Sequence, residues 1–226
     1  MYVPPVYRAG DPDWIRQLVL SFPLALLVSP GGPDLLATHL PVIPAPGSSL
    51  SDGGGDSGLV GCTLAGHMNR RNPHWAALAD GPAGQLLIIQ GPSAYITPSV
   101  YQQTPAAPTW NYVALHLRGR AVPVSAGAET LRIVQETVVS YERDHGSGWD
   151  HNGSVGYFES IVAGVGAFTF EITAAEAMVK LSQDKPAELR DTIAEHLGQA
   201  QRSRAGVAAA MRTLGLAGPC PGMADE

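Results

Sequence analysis

The stretch AGHMNRRNPHW, residues 65–75, carries two histidines, two arginines, two asparagines and a tryptophan, in a chain that is only 15% charged. An imidazole can offer a lone pair to a metal or move a proton near neutral pH. Arginines beside it can hold carboxylates or phosphates through paired N–H donors. Neither His67 and His74 nor the other five histidines (His39, His116, His145, His151 and His196) stand in an HExxH or Cys/His pattern, so a structural zinc is not expected. A single histidine is enough for haem iron, because the porphyrin supplies four other donors. By position alone, His67 is either a hydrogen-bonded residue at a strand end or such a ligand.

Two further stretches could build a site. In APTWNYVALH (107–116), strand alternation puts Trp110 and Tyr112 on one face and Asn111 on the other. That aromatic face suits a flat or macrocyclic ligand, and equally a core pair. In KLSQDKP (180–186), Lys180 can neutralise a phosphate or carboxylate while Ser182 and Gln183 add hydrogen bonds. The same segment also reads as a solvated helix start. Tyr95 and Tyr101 sit in a Pro-bounded loop that is a site wall or plain surface. No nucleophile elbow, paired carboxylates or reactive cysteine pattern is present. Side chains of this kind point to a cofactor that carries the chemistry.

The elements that must position these residues follow from local signals. GDPDWIRQLVLSF predicts a helix with Asp11 as N-cap and Pro12 in the first turn. Residues 24–43 read as a hairpin, and 44–58 as a Pro/Gly/Ser-rich loop inside a sheet. LVGCTLAGH then resumes as a strand ending near His67, and NPHWAALAD is a short helix. GQLLIIQGPSAYITP gives one or two strands, and TWNYVALHLRGRAVPV a long one. GAETLRIVQETVVSYERD is an amphipathic helix with Leu131, Val134, Val138 and Tyr141 at helical spacing. After a Gly-rich loop (145–156) come a short helix and a strand, then a closing helical segment broken near Gly198. Consecutive strands with helices between blocks imply an α+β domain around an antiparallel sheet.

Composition narrows the class. A chain of 226 residues with 45% hydrophobic content is globular, and supports one domain over 1–214 with a flexible tail, 215–226. Its net charge of −6, with 14 scattered basic residues, argues against nucleic-acid binding. Cys62 and Cys220 lack metal spacing and are expected as reduced thiols. No signal peptide is visible, and the apolar run at 18–28 is too short for a bilayer, so a cytoplasmic protein without membrane contact is expected.

Six segments in order carry a resemblance: MYVPPVYR, THLPVI, GHMNRRNPHW, QGPSAYITPSVY, PTWNY and KLSQDKP. Together, from residue 1 to about 190, they resemble the PaiB-like, FMN-binding split-barrel family. The resemblance implies a six-stranded antiparallel split β-barrel with peripheral helices and a C-terminal helical segment. It also implies a homodimer with the cofactor at or near its interface. The family includes regulators, flavin binders and a haem-binding branch, the piperazate synthases. These close N5-hydroxy-L-ornithine to L-piperazic acid by forming an N–N bond with loss of water. The chain is most similar to that branch in GHMNRRNPHW and TPAAPTWNY, and in Met178, which stands where the family has a lysine. Loss of that cation disfavours an FMN phosphate and favours haem b. By motif, His67 is the axial iron ligand. Arg70, Arg71 and Lys180 would hold cofactor carboxylates or the substrate carboxylate and, with His74, form the catalytic set. Trp110, Asn111, Tyr112 and Gln183 would line the cofactor pocket together with His74. The alternatives are an FMN-binding oxidoreductase and a non-enzymatic transcriptional regulator.

Overall fold

The computed structural model describes residues 1–79, 81, 84–101, 104–198 and 202–215, with side chains omitted at 79 and 202–207. The expected tail therefore lies outside the described residues, apart from Gly215. Two compact units divide the chain: Gly10–Ile89 with Leu115–Glu176, and Met1–Ala9 with Gln90–Ala114 and Ala177–Glu226.

Six strands are present: β1 (Leu24–Gly31), β2 (Asp34–Pro44), β3 (Thr63–Asn69), β4 (Gln85–Ile96), β5 (Thr109–Pro123) and β6 (Val165–Lys180). They form a closed barrel in the order β1-β2-β3-β6-β5-β4. This is the α+β antiparallel barrel expected from the sequence. The β1–β2 hairpin closes at Gly31↔Asp34, β2 pairs with β3, and β3 pairs with β6 from Thr63↔Glu171 to Asn69↔Val165.

Helix α1 (Pro12–Ser21) starts where its cap predicts: the Asp11 carboxylate accepts from the Asp13 N–H at 2.9 Å. The 44–62 loop contains a 3-10 turn at Leu50–Asp52 and a bridge between Gly54 and Val60. Helix α2 is Pro73–Ala79 and α3 is Ala128–Asp144, followed by α4 (Val155–Ile161). In the other unit, α5 (Ala187–Gly198) and α6 (Arg202–Thr213) pack together, and α5 also packs on the 3-10 turn Pro98–Tyr101. Among the described residues no helix is long and apolar enough to cross a membrane.

Strand β3 has two working faces. Leu64 and Gly66 pair in register with Phe170 and Phe168, and Leu64 and both phenyl rings are fully buried. On its other face Ala65 joins Ile43, Ala45, Ala167 and Ile133 of α3 in one core cluster, with Tyr141 packed against it. Alanines at 65 and 167 let α3 lie close to the sheet. The next residue on that face of β3 is His67, in register with Ala167.

Candidate functional site

That placement sets His67 at the wall of a cleft of about 410 Å³, lined by Pro41, Val134, Thr137, Val138, Tyr141, Glu142, Trp149 and Phe158 as well. All nine belong to the larger unit. His67 is half-buried, and its Nδ1 is buried with no hydrogen-bond partner among the described residues. Burial pulls its pKa below the ordinary imidazole value, which keeps the ring neutral and its lone pair available. Among the described residues no group of three or more His, Cys, Asp or Glu could hold a metal ion. A lone imidazole can ligate a metal that brings its own donors, as haem iron does. The lining holds no lysine or arginine, so a phosphate or carboxylate of a bound cofactor would need a cation from outside it.

The back wall is rigid. The Tyr141 hydroxyl donates to the carbonyls of Val42 (3.0 Å) and Pro23 (3.3 Å), and burial pushes the phenol up to about 12. Helix α3 buries Thr130, Ile133 and Thr137, while Val134 and Val138 line the cleft and Tyr141 both lines it and packs against the core. Most of the apolar stripe expected on α3 is thus a site wall. Periodicity marks an apolar face of a helix but does not tell a packed face from a cleft.

His74 stands apart from that chemistry. It is 1% exposed; Nε2 lies 2.7 Å from the Ser29 hydroxyl and Nδ1 lies 3.0 Å from the Thr38 hydroxyl. With both ring nitrogens engaged by hydroxyls, the His74 ring is held in place between β1 and β2. Asn72 donates to the same Thr38 hydroxyl and caps α2 by accepting from the His74 N–H at 3.0 Å. Asn69 accepts from the Arg71 N–H at 2.8 Å. Trp75 packs over Gly166, where a Cβ would lie 2.4 Å from the indole, so only glycine fits there. The Arg70 guanidinium sits 5.7 Å from the Trp75 ring, and Arg71 is exposed. Most of the polar density in AGHMNRRNPHW thus builds the turn, and His67 is left open.

The other predicted residues fall in the smaller unit. Lys180 donates to the Thr109 hydroxyl at 2.7 Å and lies 5.8 Å from the Tyr7 ring. Asn111 is fully buried; its Oδ1 accepts from Ser182 at 3.0 Å, and its Nδ2 has no partner among the described residues. Ser182 adopts a left-handed φ of 66°, held by that bond. Gln183 folds back on its own segment, accepting from the Leu181 N–H and donating to the Val179 carbonyl. Trp110 is 54% exposed with its ring 6.0 Å from Tyr95 in an edge-on pair, and Tyr112 is half-buried. Motif reading missed Trp149, Phe158 and Glu142. The sequence signal for Trp149 was an aromatic in a Gly-rich loop directly after the amphipathic helix; Glu142 on α3 and Phe158 on α4 carried none.

Comparison with known proteins follows this geometry. Residues 1–174 match the family described as "Putative FMN-binding domain". The chain is 31% identical over 189 residues to "Protease synthase and sporulation protein PAI 2" of Bacillus subtilis, covering 82% of this chain and 83% of that protein. Its fold is similar to the FAD and haem binding protein of Mycobacterium smegmatis, with a TM-score of 0.57 and 12% identity over 81% of this chain and 78% of the other. It is also similar to the conserved hypothetical protein Rv2991 of Mycobacterium tuberculosis, with a TM-score of 0.51 and 11% identity over 82% and 94% of the two chains.

Proposed function

Since the chain belongs to the FMN-binding-domain family of split barrels, we propose that it has exchanged the flavin for haem b and works as a piperazate synthase on N5-hydroxy-L-ornithine. One observation carries the reading: a neutral, half-buried imidazole, whose buried Nδ1 has no hydrogen-bond partner among the described residues, at the wall of a mainly apolar cleft. The M. smegmatis protein with a similar fold binds haem by its description, which makes a haem in such a barrel a reasonable proposal here.

Haem held by His67 would supply a Lewis-acidic iron for the hydroxylamine oxygen. The chain supplies the rest. His67 keeps its lone pair because burial disfavours its cation. Val134, Val138, Trp149 and Phe158 exclude water from the ligand face. Arg70 and Arg71 follow His67 by three and four residues, and are the cations of the same unit assigned to carboxylates of cofactor or substrate. Lys180, Trp110, Asn111, Tyr112 and Gln183 enter through the motif resemblance alone. The reaction balances without an external oxidant: the α-nitrogen bonds to N5, the N5–O bond breaks, and the oxygen leaves as water. Folding a flexible chain so that its two nitrogens meet is a proximity task, which fixed carboxylate contacts accomplish.

The test is an absorbance spectrum of the purified protein, followed by incubation with N5-hydroxy-L-ornithine. A Soret band and formation of piperazic acid are expected. Bound flavin without a Soret band would return the protein to an FMN-binding reading. Unchanged substrate with haem-loaded protein would reject the synthase activity while leaving haem binding in place.

A further inference from the structure

The segment joining α3 to α4, residues 145–154, carries Trp149 into the cleft lining, and its attachment is unusual. Five consecutive backbone N–H groups converge on two residues at the end of α3. Those of His145 and Gly146 donate to the Tyr141 carbonyl at 2.8 Å each, and that of Gly148 to the Glu142 carbonyl at 3.1 Å. Those of Ser147 (3.1 Å) and Trp149 (2.9 Å) both donate to one carboxylate oxygen, Oε2 of Glu142. A Cβ at Gly146 would lie 2.3 Å from that same oxygen, so the sequence makes room for the carboxylate. Gly148, at φ 77°, supplies the left-handed turn that brings the Trp149 amide back to it. Beyond Trp149 the segment is held by ring packing, with His151 stacked on Phe158 at 6.1 Å between centroids.

From this geometry we infer that Glu142 is a positioning residue: its carboxylate latches the 145–149 strap, holds Trp149 against the cleft, and so sets how long a flat ligand stays bound. Glu142 is the only carboxylate in the lining. Charge-assisted bonds to two backbone amides engage it with the strap, not with iron. The strap is otherwise exposed, with Trp149 itself 48% exposed, and lacks enough buried area to hold itself shut. Tyr141, one residue earlier, is tied to the sheet through its hydroxyl. The latch therefore joins a fixed wall to a movable one.

The inference about ligand retention rests on the haem reading, whereas the latch itself does not. Two measurements separate them: amide hydrogen exchange across 145–150 in the protein as purified, and haem transfer from the holoprotein to excess apomyoglobin. In Glu142→Ala, exchange at Ser147 and Trp149 is expected to rise about tenfold or more, and haem loss to accelerate by a similar factor. The axial-histidine spectrum should stay unchanged. Glu142→Gln keeps an acceptor oxygen in place and should restore most of both effects, which loss of bulk packing would not explain. Trp149→Ala, on the exposed strap, should speed haem loss without disturbing the barrel. Wild-type amide protection in Glu142→Ala overturns the latch. Faster exchange with unchanged haem loss overturns its role in retention. A wild-type protein that takes up no haem overturns the cofactor reading, and the exchange measurement alone then decides the latch.

Discussion

His67 and His74 come from one motif and meet opposite surroundings. His67 keeps an unpartnered ring nitrogen at a cleft, while His74 is enclosed by two hydroxyls. Their substitutions should therefore separate cleanly. His67→Ala should lose the Soret signature of axial histidine, with little change in the stability of the ligand-free protein. His74→Ala leaves the buried Ser29 hydroxyl without its imidazole partner and Thr38 with Asn72 alone, and should cost about 1–3 kcal/mol in urea unfolding. Its spectrum, where protein survives, should keep the axial signature. Both rings also shape the response to pH. Burial lowers both pKa values in the folded state, so below about pH 6.5 the unfolded chain binds protons that the folded chain does not. The associated stability is present above that pH and is lost as pH falls through the folded values. Denaturation midpoints measured from about pH 7 down to pH 5 should decline, and His74→Ala should flatten that slope.

At the scale of elements, the cleft depends on α3 lying close over β3. The alanines at 65 and 167 make that approach possible, and the neighbouring Gly166 seats Trp75 of α2. Gly166→Ala forces a methyl into the indole and should cost about 1–3 kcal/mol, read by chemical denaturation together with loss of near-ultraviolet tryptophan ellipticity. Helix, hairpin and strand identities were legible here because capping, alternation and Gly/Pro punctuation are local. Asp11, for instance, caps α1 as its sequence signals. What α3 packs against was not legible. Leu131, Val134, Val138 and Tyr141 make a valid helical stripe, but Ile133 with Thr130 and Thr137 forms the buried face. Two of those core positions are threonines, whose hydroxyls satisfy themselves on backbone carbonyls, Thr130 on Ser125 and Thr137 on Ile133. A hydrophobicity pattern discounts such residues, although a hydrogen-bonded threonine packs well.

At the scale of the whole molecule, ligand binding and folding are one equilibrium. On the proposed haem reading, haem at a hundredfold excess over its dissociation constant would add about 2.7 kcal/mol to stability, on the order of 5–10 °C in melting temperature for a chain of this size. That shift should appear in the wild type and vanish in His67→Ala, with differential scanning calorimetry as the measure. Antiparallel character followed from the sequence, and family resemblance supplied the six strands and the barrel. The insertion of β6 between β3 and β5 has no local sign, because it joins segments about a hundred residues apart. That insertion also orders events at the ribosome. Until residues 165–171 emerge, β3 is an open strand edge, and His67 stands on it with neither Ala167 beside it nor Gly166 to seat Trp75. The nascent chain must shield an unpaired edge over about a hundred residues of synthesis, and the imidazole acquires its finished surroundings only when that edge is sealed. A cofactor held by His67, as proposed, would consequently be taken up in maturation rather than in early folding.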